Sequence, residues 1–520
     1  MRSGLRLCVV LGVLALASIP APTLHAQAIP RTLKIAVGID PDTLDPAALT
    51  TGLVMGMVDY IYERLVKFDY KQNTVVPGLA TQWQVSSDGL TYTFRLRSGV
   101  TFHDGTAFNA DAVKFTFDRL MEPKARSPLR DLVVTPMKEV QVLDSMTVRV
   151  ILSRPAPMFL TNLTHWLASI ISPATVRRTG ENLTRDPTGA ATGPYMFKEW
   201  ARGSHILYVR NPNYWGQKPL FEEVMLRIVP DAGGREAMLL AGEAHMAVLP
   251  PAPDVRRLRE NPGFTLVEAS TSRMVYVGMN TQWGPFKDAR VRRAMNYAVN
   301  KRAILGNVAF DLGTVADSPC VSMASGYTPV QPGGWPYDPG QARQLLKEAG
   351  HPDGFEVDFI APTGRLIQDF QVAQAIAAQL RNIKVRANLR TMDWPTYIAM
   401  VLGPPERSHL QLWLLAWVPF PLNCSEVLYP TLHSAQHRPR GNNTTLYANE
   451  NLDQLVDRAR AEREPSRQKE LLKEAQMLVW QDAPWIFLWS QKWYVATVRN
   501  LQGVAITPFE MWDAIYATWK

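Results

Sequence analysis

The sequence lacks the short motifs that mark most enzymes. Its 520 residues contain no G-x-S-x-G nucleophile elbow, no H-E-x-x-H pair, no P-loop and no G-x-G-x-x-G turn. Adjacent acids such as Glu222 and Glu223 are typical of a solvated surface. An exported hydrolase of peptides or glycosides stays as a rival hypothesis, but it needs a nucleophile with a base, or two spaced acids. We therefore predict no catalytic residues and no enzyme activity.

Metal-binding and redox side chains are also scarce. Of three cysteines, Cys320 and Cys424 lie outside the apolar N-terminal segment, and they lack C-x-x-C spacing. In an oxidising compartment they either pair or stay free. Among nine histidines, only His433 and His437 have the i, i+4 spacing of a metal pair, in a segment whose Pro and Gly favour a loop. We predict no bound metal and no cofactor.

Only one long apolar run occurs, and it stands at the start of the chain. Residues 1–28 carry Arg2 and Arg6, then the apolar run Leu7–Ile19, a proline and the small-residue ending Ala26-Gln27-Ala28. This order is typical of a cleavable secretory signal, and the run is too short to span a bilayer comfortably. We predict export to the periplasm without membrane embedding. Cys8 lies inside the run rather than at the cleavage point, which argues against a lipoprotein.

Charge gives little information about partners. Removal of the signal lowers the net charge from +8 to +6, because two arginines and no acids are lost. The remaining basic residues are dispersed and form no stripe with interleaved aromatics, so nucleic acid is not an expected partner. The length favours two or three domains, and no low-complexity linker separates them.

The hydrophobic pattern predicts an α/β architecture. Strand patterns occur at 32–39 and 91–97, hairpins at 139–152 and 195–211, and a helix at 109–120 capped by Asn109. A mostly apolar stretch at 52–66 predicts another helix. From about 270, strands and helices alternate, including one predicted helix over 288–306 that begins at Asp288. Such alternation is typical of an open sheet with ligands at the carboxyl ends of its strands.

The longest recognisable block of the sequence is "PGLATQWQVSSDGLTYTFRLRSGVTFHDGTAFNADAVKFTFDRL" at 77–120. It resembles solute-binding protein family 5, the peptide-, nickel- and glutathione-binding receptors of ABC importers. Further matching blocks cover nearly the whole mature chain in family order: 44–46, 61–69, 191–216, 285–305, 337–350 and 447–462.

The resemblance implies a bilobed periplasmic-binding-protein type II fold with an extra insert domain. It places the first lobe at 29–60, 188–272 and 484–520, its insert at 61–187, and the second lobe at 273–483. The lobes are expected to close over an organic, peptide-like solute, and the closed form to engage permease subunits and their ATPases. We expect a monomer. A metal–chelate receptor of the same family, with His433 near the metal, is an alternative, as is a periplasmic chaperone or sensor.

One departure from the family bears on the ligand. Peptide-binding members carry two aspartates in the segment equivalent to 417–428, which overlaps "LAWVPFPLNCSEV" (415–427), and the first accepts the peptide ammonium. Here Phe420 and Asn423 stand at those positions. One interpretation is an apolar pocket floor for a solute without a free amino group, such as a blocked peptide, glycoside, opine-like conjugate or metal chelate. In the other, the register slips and Glu426 supplies the acid.

Other pocket-lining residues are predicted from the resemblance. Trp394 and Trp417 are expected to clamp the ligand by stacking or cation–π contact, although Trp394 at a helix start is also consistent with core packing. Asn280 and Trp283 are expected near the mouth of the cleft, where Asn280 is equally consistent with a turn. Met55 is expected in the cleft-facing part of the first lobe, where buried core is the alternative.

Overall fold

A computed structural model describes residues 30–48, 54–70, 72, 74–122 and 130–520. The predicted signal peptide therefore lies outside the described residues. Among the helices that the structure describes, none combines the length and apolarity needed to cross a bilayer. The α/β prediction is confirmed: eleven strands form one mixed sheet, and helices cover its faces.

The large sheet runs through the whole molecule. Its path, from one edge to the other, is Val385–Asp393, Phe355–Thr363, Leu412–Trp417, Phe264–Met279, Trp485–Val498, Met246–Val248, Thr32–Val37, Glu223–Ile228, His205–Arg210 and Tyr195–Ala201, with Gly313–Val315 against Trp485–Val498. Parallel pairing occurs in both halves of the sheet, around Thr32–Val37 and around Phe355–Thr363. The inner strand Thr32–Val37 is mostly buried and apolar, as expected for a parallel strand covered on both faces, whereas the edge strand Val385–Asp393 alternates buried and exposed residues.

Two long antiparallel strands join the halves of this sheet. Phe264–Met279 pairs with Trp485–Val498 along most of its length, and the register shifts between Ser270 and Met274. Before this irregularity the first strand pairs with Val498–Lys492, and after it with Ser490–Trp485. A bulge bends a strand and increases its twist, so the two halves of the sheet change direction at this point.

The hydrophobic core divides at the same place. One contiguous core is built from residues between 33 and 248 and between 493 and 517, and we call this part the first lobe. Two further cores are built from residues between 274 and 489 on the two faces of the other half, which we call the second lobe. The strand Trp485–Val498 gives Trp489 to the second lobe and Trp493 to the first.

A smaller sheet belongs to the first lobe. Its strands run in the order Ala80–Val85, Thr91–Leu96, Thr147–Leu152 and Met137–Asp144, and all neighbours are antiparallel. Both predicted hairpins are confirmed. Gly89, at the turn between the first two of these strands, has φ +73°, which glycine adopts without a Cβ penalty. This sheet shares the first-lobe core rather than forming a separate one.

Three two-stranded pairings complete the strands of the described residues: Val66–Asp69 with Thr74–Pro77, Leu501–Gln502 with Thr518–Trp519, and Ala505–Ile506 with Trp512–Asp513. In the same part of the chain the α-helices are Met55–Val58, Ala110–Met121, Asp131–Val134, Phe159–Asn162, Pro173–Thr179, Ala232–Leu240, Val255–Glu260, Ala289–Ala298, Lys301–Asn307, Pro339–Glu348, Asp369–Leu380, Trp394–Leu402, Ser425–Leu432, Glu450–Ala461 and Pro465–Asp482.

Two predicted helices differ from the structure. In the stretch 52–66, the described part is helical only over Met55–Val58. The carbonyls of Ile61, Glu63 and Leu65 accept N–H groups from distant segments, so they cannot form helical bonds. The helix predicted over 288–306 breaks at Asn300, whose side chain caps a second helix by accepting from Ala303 N at 3.0 Å.

Candidate functional site

A chain of aromatic side chains connects the two lobes. Phe420 is its second-lobe member, and its ring centroid lies 4.6 Å from that of His165 and 4.8 Å from that of Phe509, both in the first lobe. The chain extends from Phe509 to Tyr70 at 6.1 Å and from His165 to Trp166 at 3.4 Å. We call these five residues the aromatic bridge. Separation of the lobes requires its two contacts at Phe420 to break.

The loop that carries Phe420 is fixed at both ends. Before it, the strand Leu412–Trp417 pairs with Phe264–Met279, and the Trp417 indole N–H donates to the carbonyl of Glu426 at 2.7 Å. After it, Cys424 forms a disulfide with Cys320, with Cα atoms 5.6 Å apart. This answers the open question of whether the cysteines pair. Residues 418–423 are therefore held as a short arch with Phe420 facing the first lobe.

Asn423 stabilises this arch. Its amide nitrogen donates to Ser325 Oγ at 3.1 Å and to Gln468 Oε1 at 3.2 Å, and its Oδ1 accepts from Ser425 N at 2.8 Å. The side chain is buried, and its hydrogen-bonding groups are used within the second lobe. The structure therefore gives Asn423 a loop-fixing position, not one in the wall of the cavity described next.

A cavity of about 230 Å³ lies against the aromatic bridge. Its wall consists of first-lobe residues between 55 and 70, 164 and 166, and 507 and 516, together with Pro194, Tyr214 and, from the second lobe, Phe420. Met55 is one of the wall residues and is 5% exposed. An apolar and aromatic wall with a few polar groups is typical of small-molecule sites.

Two ion pairs stand in the cavity wall. Arg64 donates to Asp59 Oδ1 at 3.0 Å, and Lys67 donates to Glu63 Oε1 at 3.1 Å. Glu63 also accepts from the Tyr214 hydroxyl at 3.0 Å and from the Trp215 indole N–H at 2.7 Å. These bonds compensate the desolvation of Glu63 and hold it in one orientation.

His165 is neutral in this environment. Burial, followed by the charge of Arg64, lowers its pKa well below the ordinary value. Its Nδ1 accepts the N–H of Leu167 at 3.3 Å, so the ring proton is on Nε2. The bridge contact to Phe420 is therefore made by an uncharged ring whose orientation is fixed by the 3₁₀ turn Trp166–Ala168.

The two predicted tryptophans lie in the second lobe. Trp394 stacks on Tyr397 at 5.8 Å, and the Arg365 guanidinium lies 5.1 Å from its ring centre. Trp394 and Trp417 both pack against the same second-lobe core and are only partly buried. Neither is in the cavity wall, so a ligand clamp between them stays a prediction.

Asn280 and Trp283 follow the end of the strand Phe264–Met279, far along that strand from the loop that carries Phe420. Because Met279 pairs with Leu412 while Met274 pairs with Trp417, the strand leads away from the loop that carries Phe420. At about 3.3 Å per residue, this end is roughly 15–20 Å from the strand's lobe-junction end. Asn280 donates to the carbonyl of Leu410 at 2.8 Å, and Trp283 packs on Phe286. Both residues therefore lie far from Phe420 along the strand, and their role at the cleft mouth stays a prediction.

Two other predicted groups are engaged elsewhere. Glu426, the alternative pocket acid, lies 3.8 Å from Arg460 and is not in the cavity wall. Burial raises its pKa, and Arg460 and Ser425 oppose that effect. The His433 Nδ1 accepts from Ala435 N at 3.0 Å. Within the part of the chain that the structure describes, no group of three potential metal ligands occurs.

Comparison with known proteins identifies the family. The family model described as "Bacterial extracellular solute-binding proteins, family 5 Middle" matches residues 74–438. The chain belongs to solute-binding protein family 5. The resemblance predicted from the sequence is thus confirmed, and with it the prediction of a substrate-binding protein of the ABC-importer type rather than an enzyme.

Family 5 relatives match along almost the whole chain. The glutathione-binding protein GsiB of Pectobacterium atrosepticum is 33% identical over 477 residues, which are 91% of each protein. The structure of HbpA2 from Haemophilus parasuis has a TM-score of 0.83 at 27% identity, covering 94% of this chain and 100% of that one. The ABC transporter-associated periplasmic binding protein DppA from Helicobacter pylori, in complex with the peptide STSA, has a TM-score of 0.75 at 26% identity, covering 94% and 98%. The bilobed binding-protein fold is confirmed by these matches.

Several site residues had no signal in the sequence. His165, Phe509 and Tyr70 come from three distant segments, and no motif connects them. A concentration of aromatics in the C-terminal segment "TPFEMWDAIYATW" was the one available sign that this segment lines a site.

Proposed function

We propose that this family 5 protein is a periplasmic receptor that captures a peptide-like solute bearing a carboxylate and delivers it to an ABC permease. The observation that carries this proposal is the aromatic bridge, because Phe420, the one second-lobe residue among the described residues of the cavity wall, contacts two first-lobe rings. A solute held there favours the state in which the lobes are together, and this population shift provides the signal to the permease. The relatives named for glutathione and for a peptide complex support the solute class.

Arg365 supports a carboxylate on the solute. It stands in the loop after the strand Phe355–Thr363, half-buried, with its guanidinium over Trp394. Among the described residues, no carboxylate lies within 4.0 Å of it. Burial and then the charge of Arg273 lower its pKa to about 10, so it stays cationic at neutral pH. An arginine in such a position is suited to bidentate binding of a carboxylate.

We also propose where the lobes hinge. The support is the register shift at Ser270–Met274 and the change of core along Trp485–Val498. Arg273, at this shift, binds Glu510 through Nε to Oε1 at 2.5 Å and through Nη2 to Oε2, with both side chains buried. On this proposal the two crossings between the lobes lie near residues 272 and 490, and the family resemblance predicts 272 and 484.

The test is a calorimetric screen of the mature protein with glutathione, the peptide Ser-Thr-Ser-Ala and forms of both with esterified carboxylates. We expect one of the free acids to bind in a 1:1 ratio and its ester to bind at least tenfold more weakly. Arg365→Gln should remove that difference, whereas Arg386→Gln, at an exposed edge strand beside Glu356, should keep it. Equal binding of acid and ester, or no binding of either solute, would refute the proposal.

A further inference from the structure

The charges of the cavity wall do not balance. Its acids are Asp59, Glu63 and Asp513, and the first two are paired with Arg64 and Lys67. Asp513 is different: Oδ1 accepts the N–H of Ile515 at 3.0 Å, and among the described residues no cation lies within 4.0 Å of the carboxylate. One carboxylate of the wall is therefore left without a cationic partner.

Asp513 lies in a recess that water reaches. It ends the short strand Trp512–Asp513, and its backbone pairs with Ala505. The residue keeps a large solvent-accessible area, yet the surrounding protein raises its pKa: burial has the largest effect, Asp59 adds to it, and the Ile515 N–H and Lys67 oppose it. Exposure together with a raised pKa is typical of a group on the wall of a deep pocket.

Buried polar groups without partners surround the same cavity. The Trp166 indole N–H has no hydrogen-bond partner, and Trp166 is 6% exposed. The Tyr60 hydroxyl and the Trp512 indole N–H lie near each other without meeting hydrogen-bond geometry, and both residues are at least 97% buried. Unsatisfied buried donors are costly and uncommon. The two indole N–H groups can only donate, so they indicate acceptor oxygens on the ligand, such as the carboxylate of the proposed function, whereas the Tyr60 hydroxyl can also accept.

We propose that Asp513 is the acceptor for a primary ammonium group of the bound solute. This rests on the proposed function and specifies which end of the solute enters the cavity. A volume of about 230 Å³ corresponds to roughly seven or eight water volumes, enough for an amino-acid-sized group. The ring of Phe420 forms one side of this space. Because positions 420 and 423 carry no acid, the carboxylate for the ammonium comes from Asp513 in the C-terminal segment. This proposal departs from the interpretation of an apolar pocket floor for a solute without a free amino group.

The test uses two probes of nearly the same shape, phenethylammonium and 2-phenylethanol, in competition calorimetry or ligand-observed NMR. A charge-assisted hydrogen bond predicts that wild type prefers the ammonium by about tenfold or more. Asp513→Asn should lose this preference. Asp353→Asn removes the same charge at an exposed site beside Lys384 and should keep it. Asp513→Asn should not lower the thermal midpoint at pH 7, because the amide avoids the cost of a carboxylate whose pKa is raised.

Equal affinity of wild type for both probes would overturn the proposal without any variant. Retention of the preference by Asp513→Asn would overturn it as well. The probes do not depend on the transported solute: preference for the ammonium combined with failure of the peptide screen would refute the proposed function and leave the role of Asp513 standing.

Discussion

Removal of the Phe420 ring provides a direct test of the aromatic bridge. Phe420→Ala deletes two interlobe ring contacts, at 4.6 Å to His165 and 4.8 Å to Phe509. Each aromatic pair contributes about 0.5–1.5 kcal/mol beyond area burial. The closed state should therefore lose about 1–3 kcal/mol relative to the open state. Because solute binding is coupled to closure, the affinity for the tightest solute of the screen should fall about 5–150-fold.

A matched variant separates this effect from a general loss of packing. Phe355→Ala also deletes a ring with aromatic neighbours, Phe286 at 5.8 Å and His351 at 5.6 Å, but all of them lie within the second lobe. It should lower the unfolding midpoint and leave the dissociation constant unchanged. Titration calorimetry measures affinity, and urea unfolding measures stability. Equal losses of affinity in the two variants, or none in Phe420→Ala, would refute the role of the bridge.

Three further outcomes are expected. Glu510→Gln leaves the buried Arg273 charge unpaired and should lower the free energy of unfolding in urea by about 3–5 kcal/mol. The double variant with Arg273→Met should recover part of this loss. An unchanged urea midpoint would contradict the prediction. Replacing Cys320 and Cys424 by alanine should lower the free energy of unfolding by about 2–4 kcal/mol and increase the rate of hydrogen exchange in residues 418–423. Exchange as slow as in wild type would show that the disulfide does not fix the arch. Burial lowers the pKa of Lys301 to about 7. Between about pH 7 and 10 only the unfolded chain holds this proton, so the free energy of unfolding of wild type relative to Lys301→Met should rise with pH. A difference that does not change with pH would refute this.

The local signals in the sequence were sufficient for most elements. The period of the hydrophobic residues predicted the long strands of the second lobe. Together with the capping residue it also predicted the helix that begins after Asn109, whose side chain accepts from Ala112 N at 3.0 Å. They failed at 59–65, because the carbonyls of Ile61, Glu63 and Leu65 accept N–H groups that lie more than ten residues away in the chain. Hydrogen bonds between distant segments leave no local pattern in the sequence.

Site prediction was limited by strand direction. The family register predicts Phe420 in the ligand pocket; the structure has this ring in the wall of the cavity, and its contact with a ligand stays a prediction. Asn280 was expected at the cleft mouth because it ends a strand, but only the pairing of Met274 with Trp417 shows that the other end of the strand faces the first lobe. The sequence could not single out Asp513. Its lack of a cationic partner is recognised only once the structure shows that Arg64 pairs with Asp59 and Lys67 with Glu63.

The measurement that tests the account most directly is native mass spectrometry of the protein, purified gently from the cells that produce it. The account predicts a 1:1 complex with an organic solute that carries a primary amine and a carboxylate, and fragmentation of the released solute identifies both groups. A solute with a blocked amine would contradict the role of Asp513. A protein that stays bare even after mixing with the small-molecule extract of the same cells would contradict the receptor function itself.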